Sequence, residues 1–270
     1  MKTLSIPAAG LARFAQEPGL ELNVRFPSLK QFAQAPVEFP RAVCGLEFET
    51  AAGPLEALRT APRFRRLTAR YAAGMIDSYL DQLRLIKDTG LQLLFVDPTR
   101  ADATHLKLLA SLGVRAVVYC LDPAAFDAEG FREAYFYELY NDELAGRIEP
   151  FATIKEQDGV RRRATLWTIY HESPDAACYV NDGGQLTHGR RCVAAPAGPD
   201  REPRDFVNGL FRARHPCTVC AAFLCCEGYF QFGGASGAPF CEEMREFDAE
   251  VCRRTGAQAG AKDAGHRQAD

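Results

Sequence analysis

Four cysteines, Cys217, Cys220, Cys226 and Cys241, have the residue type and spacing best suited to chemistry in this chain. The first three read C-x2-C-x5-C, and the fourth follows a glycine-rich stretch at the start of an expected helix. Thiolates two and five residues apart can turn onto one ion, and a distant fourth closes the site and pins a second segment to it. Four sulfur ligands suit a [4Fe–4S] cluster or Zn²⁺, and the residues alone leave both open. Eight of the ten cysteines lie beyond residue 177, a clustering that core packing does not require. Cys225 competes with Cys226 for the third position, because adjacent side chains do not easily reach one centre.

The remaining candidates have plainer readings. Cys44 and Cys120 sit in apolar runs and read as core residues. Cys178, Cys192 and Cys252 are leftover thiols, the first two being possible additional ligands. His171 and His215 flank the cysteine-rich region, and His215 precedes Cys217 closely enough to hydrogen-bond a bound sulfur. Glu47, Glu49, Asp97 and Asp122 fall at strand ends. There, acids form a general-base pocket or, more commonly, cap the following backbone.

Composition bounds the partners. A net charge of −3 over 270 residues gives no electrostatic footprint for nucleic acid. The basic runs at 63–66 and 161–163 are short enough to be solvated surface. No run of apolar residues reaches the length of a membrane span, and the N-terminus lacks the apolar core of a signal peptide, so a cytoplasmic location with reduced thiols is expected. Reduced, clustered cysteines read as metal or redox groups before disulfides.

The elements that must position these residues follow from periodicity. Residues 4–6, 20–26, 42–48, 91–96 and 114–120 read as strands, the last two nearly continuous in apolar residues as in strands buried on both faces. Residues 10–16, 28–35 and 103–112 read as helices. A long helix is expected after Pro62, because Leu67, Tyr71, Met75, Tyr79, Leu83 and Ile86 recur at three or four residues, with Gly90 ending it. This alternation predicts an α/β fold: a partial (β/α) barrel-like parallel sheet over residues 1–150. No glycine-rich phosphate loop is present. From residue 151 to 255 a small cysteine-rich domain is expected, with a strand at 165–170, a hairpin about Asp182-Gly183, a short helix at 206–212 and a final helix at 241–254. Poor in apolar segments, it should rely on metal ligation for stability. Residues 256–270 read as a disordered tail.

The run Cys217-Thr-Val-Cys220-Ala-Ala-Phe-Leu-Cys225-Cys226-Glu-Gly-Tyr-Phe, followed by Cys241, resembles the SPASM domain, the auxiliary iron–sulfur module of radical SAM peptide-modifying enzymes. The hairpin that precedes it and leads to Cys192 is similar too. The resemblance covers about residues 165–252, and the β/α layout before it is similar to the radical SAM partial barrel. It implies Cys226 rather than Cys225 as the third ligand, and one [4Fe–4S] cluster on Cys217, Cys220, Cys226 and Cys241. A second cluster of the family needs a cysteine where this chain has Phe230. The catalytic C-x3-C-x2-C motif is missing, since Cys44 and Cys120 are the only cysteines before residue 150. The resemblance therefore implies a non-catalytic iron–sulfur accessory protein that works with a radical SAM enzyme, a precursor peptide or both. A barrel enzyme using strand-end carboxylates, with a structural zinc, is the alternative.

Overall fold

A computed structural model describes residues 2–266 apart from 16–19, 35–38, 50–52, 54, 61–63, 123, 158–163, 173–176, 182, 188–202 and 232–237. Nine strands form one sheet: β1 (Lys2–Pro7), β2 (Leu20–Phe26), β3 (Val43–Phe48), β4 (Arg66–Arg70), β5 (Leu91–Val96), β6 (Arg115–Tyr119), β7 (Arg147–Glu149), β8 (Ala177–Val180) and β9 (Leu186–Thr187). Their order is β7-β6-β5-β4-β3-β2-β1-β8-β9. Every neighbouring pair is parallel except β8 with β9. Eleven α-helices accompany them among the described residues: α1 (Leu11–Phe14), α2 (Leu29–Gln34), α3 (Ile76–Asp81), α4 (Leu83–Thr89), α5 (Arg100–Ser111), α6 (Ala128–Tyr140), α7 (Phe151–Glu156), α8 (Leu166–Ile169), α9 (Pro203–Arg212), α10 (Phe223–Cys226) and α11 (Ala238–His266). None is long and apolar enough to cross a membrane.

Strand alternation sorts the two faces of the sheet. Leu22, Val24, Leu46, Phe48, Leu67, Ala69, Leu93, Phe95, Ala116 and Val118 are all buried on the face covered by helices. The other face carries Asn23, Glu47, Thr68, Gln92, Arg115 and Glu149, and these residues from β2 to β7 line a single cavity together with Tyr179 of β8. A flat sheet cannot bring β2, β7 and β8 to one cavity, so the sheet is curled into a barrel left open between β7 and β9. The short helix α8 and the residues after it fill the gap, and Tyr170 donates from there to the Val118 carbonyl at 2.8 Å.

Several expectations are corrected. The long helix after Pro62 begins as a strand, because Arg66-Leu-Thr-Ala-Arg70 alternates and pairs with β3 and β5 on both sides. Leu67 and Tyr71 share a helical spacing with Met75 only by coincidence; true helix starts at Ile76. The strand expected at 165–170 is a helical turn, Leu166–Ile169, which lets Leu166, Trp167 and Tyr170 all reach the core. The short strand β7 and helices α6 and α7 were not anticipated. The final helix, expected over 241–254, spans Ala238–His266.

The sheet continues across residue 150, where a domain boundary was expected: β8 pairs with β1, matching Thr3 with Ala177 and Ser5 with Tyr179. One contiguous buried cluster runs from Leu4 and Leu22 to Cys226, Phe240, Phe247 and Val251. Helix α11 is held against α6 by the Arg132–Glu243 ion pair, with bonds of 2.8 and 2.5 Å, and by Phe247 against Tyr135 and Phe151.

Two outcomes follow. Phe247→Ala should cost about 3–5 kcal/mol in urea unfolding, as for other buried aromatic truncations. Because the core is continuous, fluorescence of the single Trp167 and far-UV circular dichroism should report one coincident transition. Glu138 gives a pH test. Burial pushes its carboxyl up, although it accepts from the Ile148 N–H at 2.9 Å and Lys155 and Arg147 pull it back. The folded state thus holds this proton more tightly than the unfolded chain does. Its contribution is complete below the ordinary carboxylate range and is lost as pH rises through the elevated folded value. Glu138→Gln keeps the acceptor, so the variant should gain stability relative to the parent as pH rises above the ordinary carboxylate range in thermal melts.

Candidate metal centre

The four cysteines of the C-x2-C-x5-C set and its distant partner come from three short elements. Pro216–Val219 form a 3-10 turn that carries Cys217 and leads to Cys220. Helix α10 ends at Cys226, and Cys241 lies in the first turn of α11. Local chemistry sets the first turn: the His215 ring Nδ1 accepts from the Cys217 N–H at 3.2 Å, and the Thr218 hydroxyl donates to the His215 carbonyl at 2.8 Å. The His215 ring therefore shapes the backbone of the cysteine turn.

These elements bring Cys217, Cys220, Cys226 and Cys241 around one small cavity of about 20 Å³, together with Phe223, Gly228 and Met244. Cys225 does not line it; its fully buried thiol donates to the Ala222 carbonyl at 3.2 Å. Helical geometry turns adjacent residues about 100° apart, so only one of the pair can face the cavity. Cys178 sits on β8 opposite Leu4, packed at the edge of the core, and Cys192 lies outside the described residues. Cys252 is exposed on α11, Cys120 is in the core, and Cys44 is half-buried rather than enclosed.

Two opposing influences act on the Cys226 sulfur. Burial pushes its thiol up to about 12, while backbone N–H groups of Phe230, Tyr229 and Gly228 point to the sulfur and act in the opposite sense. Two successive left-handed residues, Glu227 at φ 46° and Gly228 at φ 74°, fold the chain back so that these donors converge. Gly228 is required twice over: its φ is positive, and a Cβ there would stand 2.4 Å from the Leu210 side chain. Burial also raises the Cys217 thiol, reinforced by the nearby Cys241 and Cys220. Gln231 donates to the Cys241 sulfur at 3.4 Å, and the N-terminal end of α11 adds a positive partial charge there. A bound cation would reverse the burial effect, because it favours the thiolate over the thiol.

In number and type of donor the four thiols fit a tetrathiolate centre. As the side chains stand, no three His, Cys, Asp or Glu among the described residues form a grouping able to hold a metal ion. The backbone donors at Gly228, Tyr229 and Phe230 were not expected from the sequence; the glycine two residues after Cys226 was the available signal.

Of the two readings of the strand-end acids, capping holds for Asp97 and Asp122. Asp97 accepts from the Leu121 and Asp122 N–H groups at 2.7 and 3.0 Å, and Asp122 accepts from the Ala124 N–H at 2.9 Å, so both cap backbone. Glu49 is exposed at the end of β3. Glu47 alone of the four lines the barrel cavity, which His171 also lines.

Titration of the metal-free protein with Co²⁺ should give sulfur-to-metal charge-transfer absorption. Replacing Cys217, Cys220, Cys226 or Cys241 singly by Ser should weaken Co²⁺ by at least about tenfold, while Cys225→Ser and Cys44→Ser should bind as the parent does. Equal loss at Cys225 would show that the wrong member of the pair had been chosen.

Comparison with protein-family models, with curated proteins and with solved structures finds no match for this chain.

Proposed function

We propose that this chain is a non-catalytic metal-centre protein, an iron–sulfur accessory to a radical SAM peptide-modifying enzyme. The observation that carries the reading is the convergence of Cys217, Cys220, Cys226 and Cys241 on one cavity. When bound there, a [4Fe–4S] cluster would supply one-electron chemistry. The chain's own contribution would be to hold four thiolates, donate to them from Gly228, Tyr229, Phe230 and Gln231, and shield one side with Met244 and Phe223. Around the cysteine turns, Val219 and Leu224 are 87% and 68% exposed, and Phe211 packs on Phe223 while remaining 54% exposed. This apolar rim suits docking of the partner enzyme or of its peptide. The SPASM-like character of residues 151–255 belongs to the same proposal and rests on the cysteine motif and the β8–β9 hairpin.

One observation favours a second reading, a structural Zn²⁺. A cavity of about 20 Å³ has room for a single ion before the walls move, whereas a cubane needs the four segments to open outward. Either metal would also link α10 to α11 and add binding free energy to folding.

Purification without oxygen separates these. The iron–sulfur reading expects a brown protein with about four iron and four sulfide per chain and a visible spectrum bleached by dithionite. A colourless protein with one tightly held zinc supports the second reading, and neither metal after reconstitution overturns both. The reduced, reconstituted protein should also form no 5′-deoxyadenosine from S-adenosylmethionine, because the sequence has no C-x3-C-x2-C motif. Formation of that product would overturn the non-catalytic assignment.

A further inference from the structure

The barrel interior holds a second cavity, of about 260 Å³, more than ten times the volume at the cysteines. Arg66, Gln92 and Arg115, the first inward-facing residues of β4, β5 and β6, line it, so it lies toward the N-terminal ends of these strands. Arg115 is exposed there and Arg66 is half-buried, which marks the mouth. Among the described residues neither arginine forms an ion pair or a side-chain hydrogen bond. Two guanidinium groups therefore face one opening without a carboxylate on either.

The inner wall has the opposite character. Asn23 is 6% exposed and its side-chain oxygen has no hydrogen-bond partner among the described residues. Its amide nitrogen is turned toward Ser5 and Glu47, both at 3.4 Å, which directs the oxygen away from them. That oxygen stands 2.6 Å from where a Cβ on Gly45 would be, and the Arg66 carbonyl oxygen and Cβ stand 3.1 and 3.2 Å from the same point. Gly45 thus leaves no side chain of β3 against the orphan acceptor. Leaving a buried acceptor unpaired costs about 1–3 kcal/mol, so a ligand donor that reached this oxygen would be favoured.

We propose that this cavity binds a free amino acid as its zwitterion. The ligand carboxylate would lie on Arg66 and Arg115, where charged, forked donors suit it. Its ammonium group would lie inward, donating to the Asn23 side-chain oxygen and facing the Glu47 carboxylate. Glu47 in the same cavity disfavours a phosphate or other dianion, Glu149 is already paired with Arg147 at 3.3 Å, and a zwitterion adds no net charge to the enclosed space. The site is separate from the cysteine centre and does not depend on which metal is bound there.

Saturation-transfer NMR with each of the twenty common amino acids tests this on the full-length protein. At least one should bind saturably. Its Kd should rise about tenfold or more in Arg66→Gln and again in Arg115→Gln, the loss of one charged hydrogen bond each. Both arginines lie at the mouth, so the variants should melt as the parent does. Cys217→Ser should leave binding unchanged, which separates this result from failure of the metal-centre reading. The N-acetyl derivative and the methyl ester of the bound amino acid should both fail to compete. Saturable binding by none of the twenty, undiminished binding in the double arginine variant, or full competition by the N-acetyl derivative would each overturn the proposal.

Discussion

A carboxylate withdrawn from water must find hydrogen-bond donors, and the way Glu172 does so ties the molecule together. It is 1% exposed, and it accepts from the Tyr119 hydroxyl at 2.6 Å and from the Tyr229 hydroxyl at 2.8 Å. Tyr119 ends β6 in the barrel, while Tyr229 follows directly on the turn after Cys226. Leaving such a carboxylate unsatisfied costs several kcal/mol, so sheet and cysteine turn are held to one relative placement. Ring packing extends the same link. Tyr170 contacts both Tyr119 and Tyr229, and Trp167 stands edge-on to Tyr229. The backbone N–H of Tyr229 that faces the Cys226 sulfur is positioned from the barrel side.

The elements carrying the cysteines could not hold this arrangement alone. A 3-10 turn and a four-residue helix are far below the length at which helices persist in water. Their order comes from packing of Phe230 on Phe240, of Phe240 on Phe126, and of Leu210 into the space left by Gly228. Helix α11 then connects the fourth cysteine to α6 through Arg132, Glu243 and Phe247. The cysteine site is thus an extension of the barrel core. A metal would add to an order that packing has already begun.

The sheet separates its functions by face. Toward the helices it is uniformly apolar and close-packed. Toward the lumen it is polar, with charged groups at both ends of a cavity that side chains do not fill. Curling is what allows this: residues on seven different strands approach one space only because β8 joins β1 while β7 remains the far edge.

Sequence alone determined what depends on neighbouring residues. Strands β2, β5 and β6 were legible because period-2 or continuous apolar runs need no partner to be recognised, and the cysteine set was legible because chelating spacing is local. Distant decisions were not legible. Arg66–Arg70 became a strand because β3 and β5 offered hydrogen bonds on both edges, which outweighed a helical stripe spread over Leu67 to Ile86. Residues 166–169 became helical because that turn fills the opening beside β7. Glu47 turned into the lumen because its parity in β3 points it there. The orphan oxygen of Asn23 and the surroundings of Cys226 exist only after strands and turns from far along the chain have met. Spacing along a chain fixes which groups can act together locally, whereas contacts between distant segments are set by packing and pairing that no local pattern records.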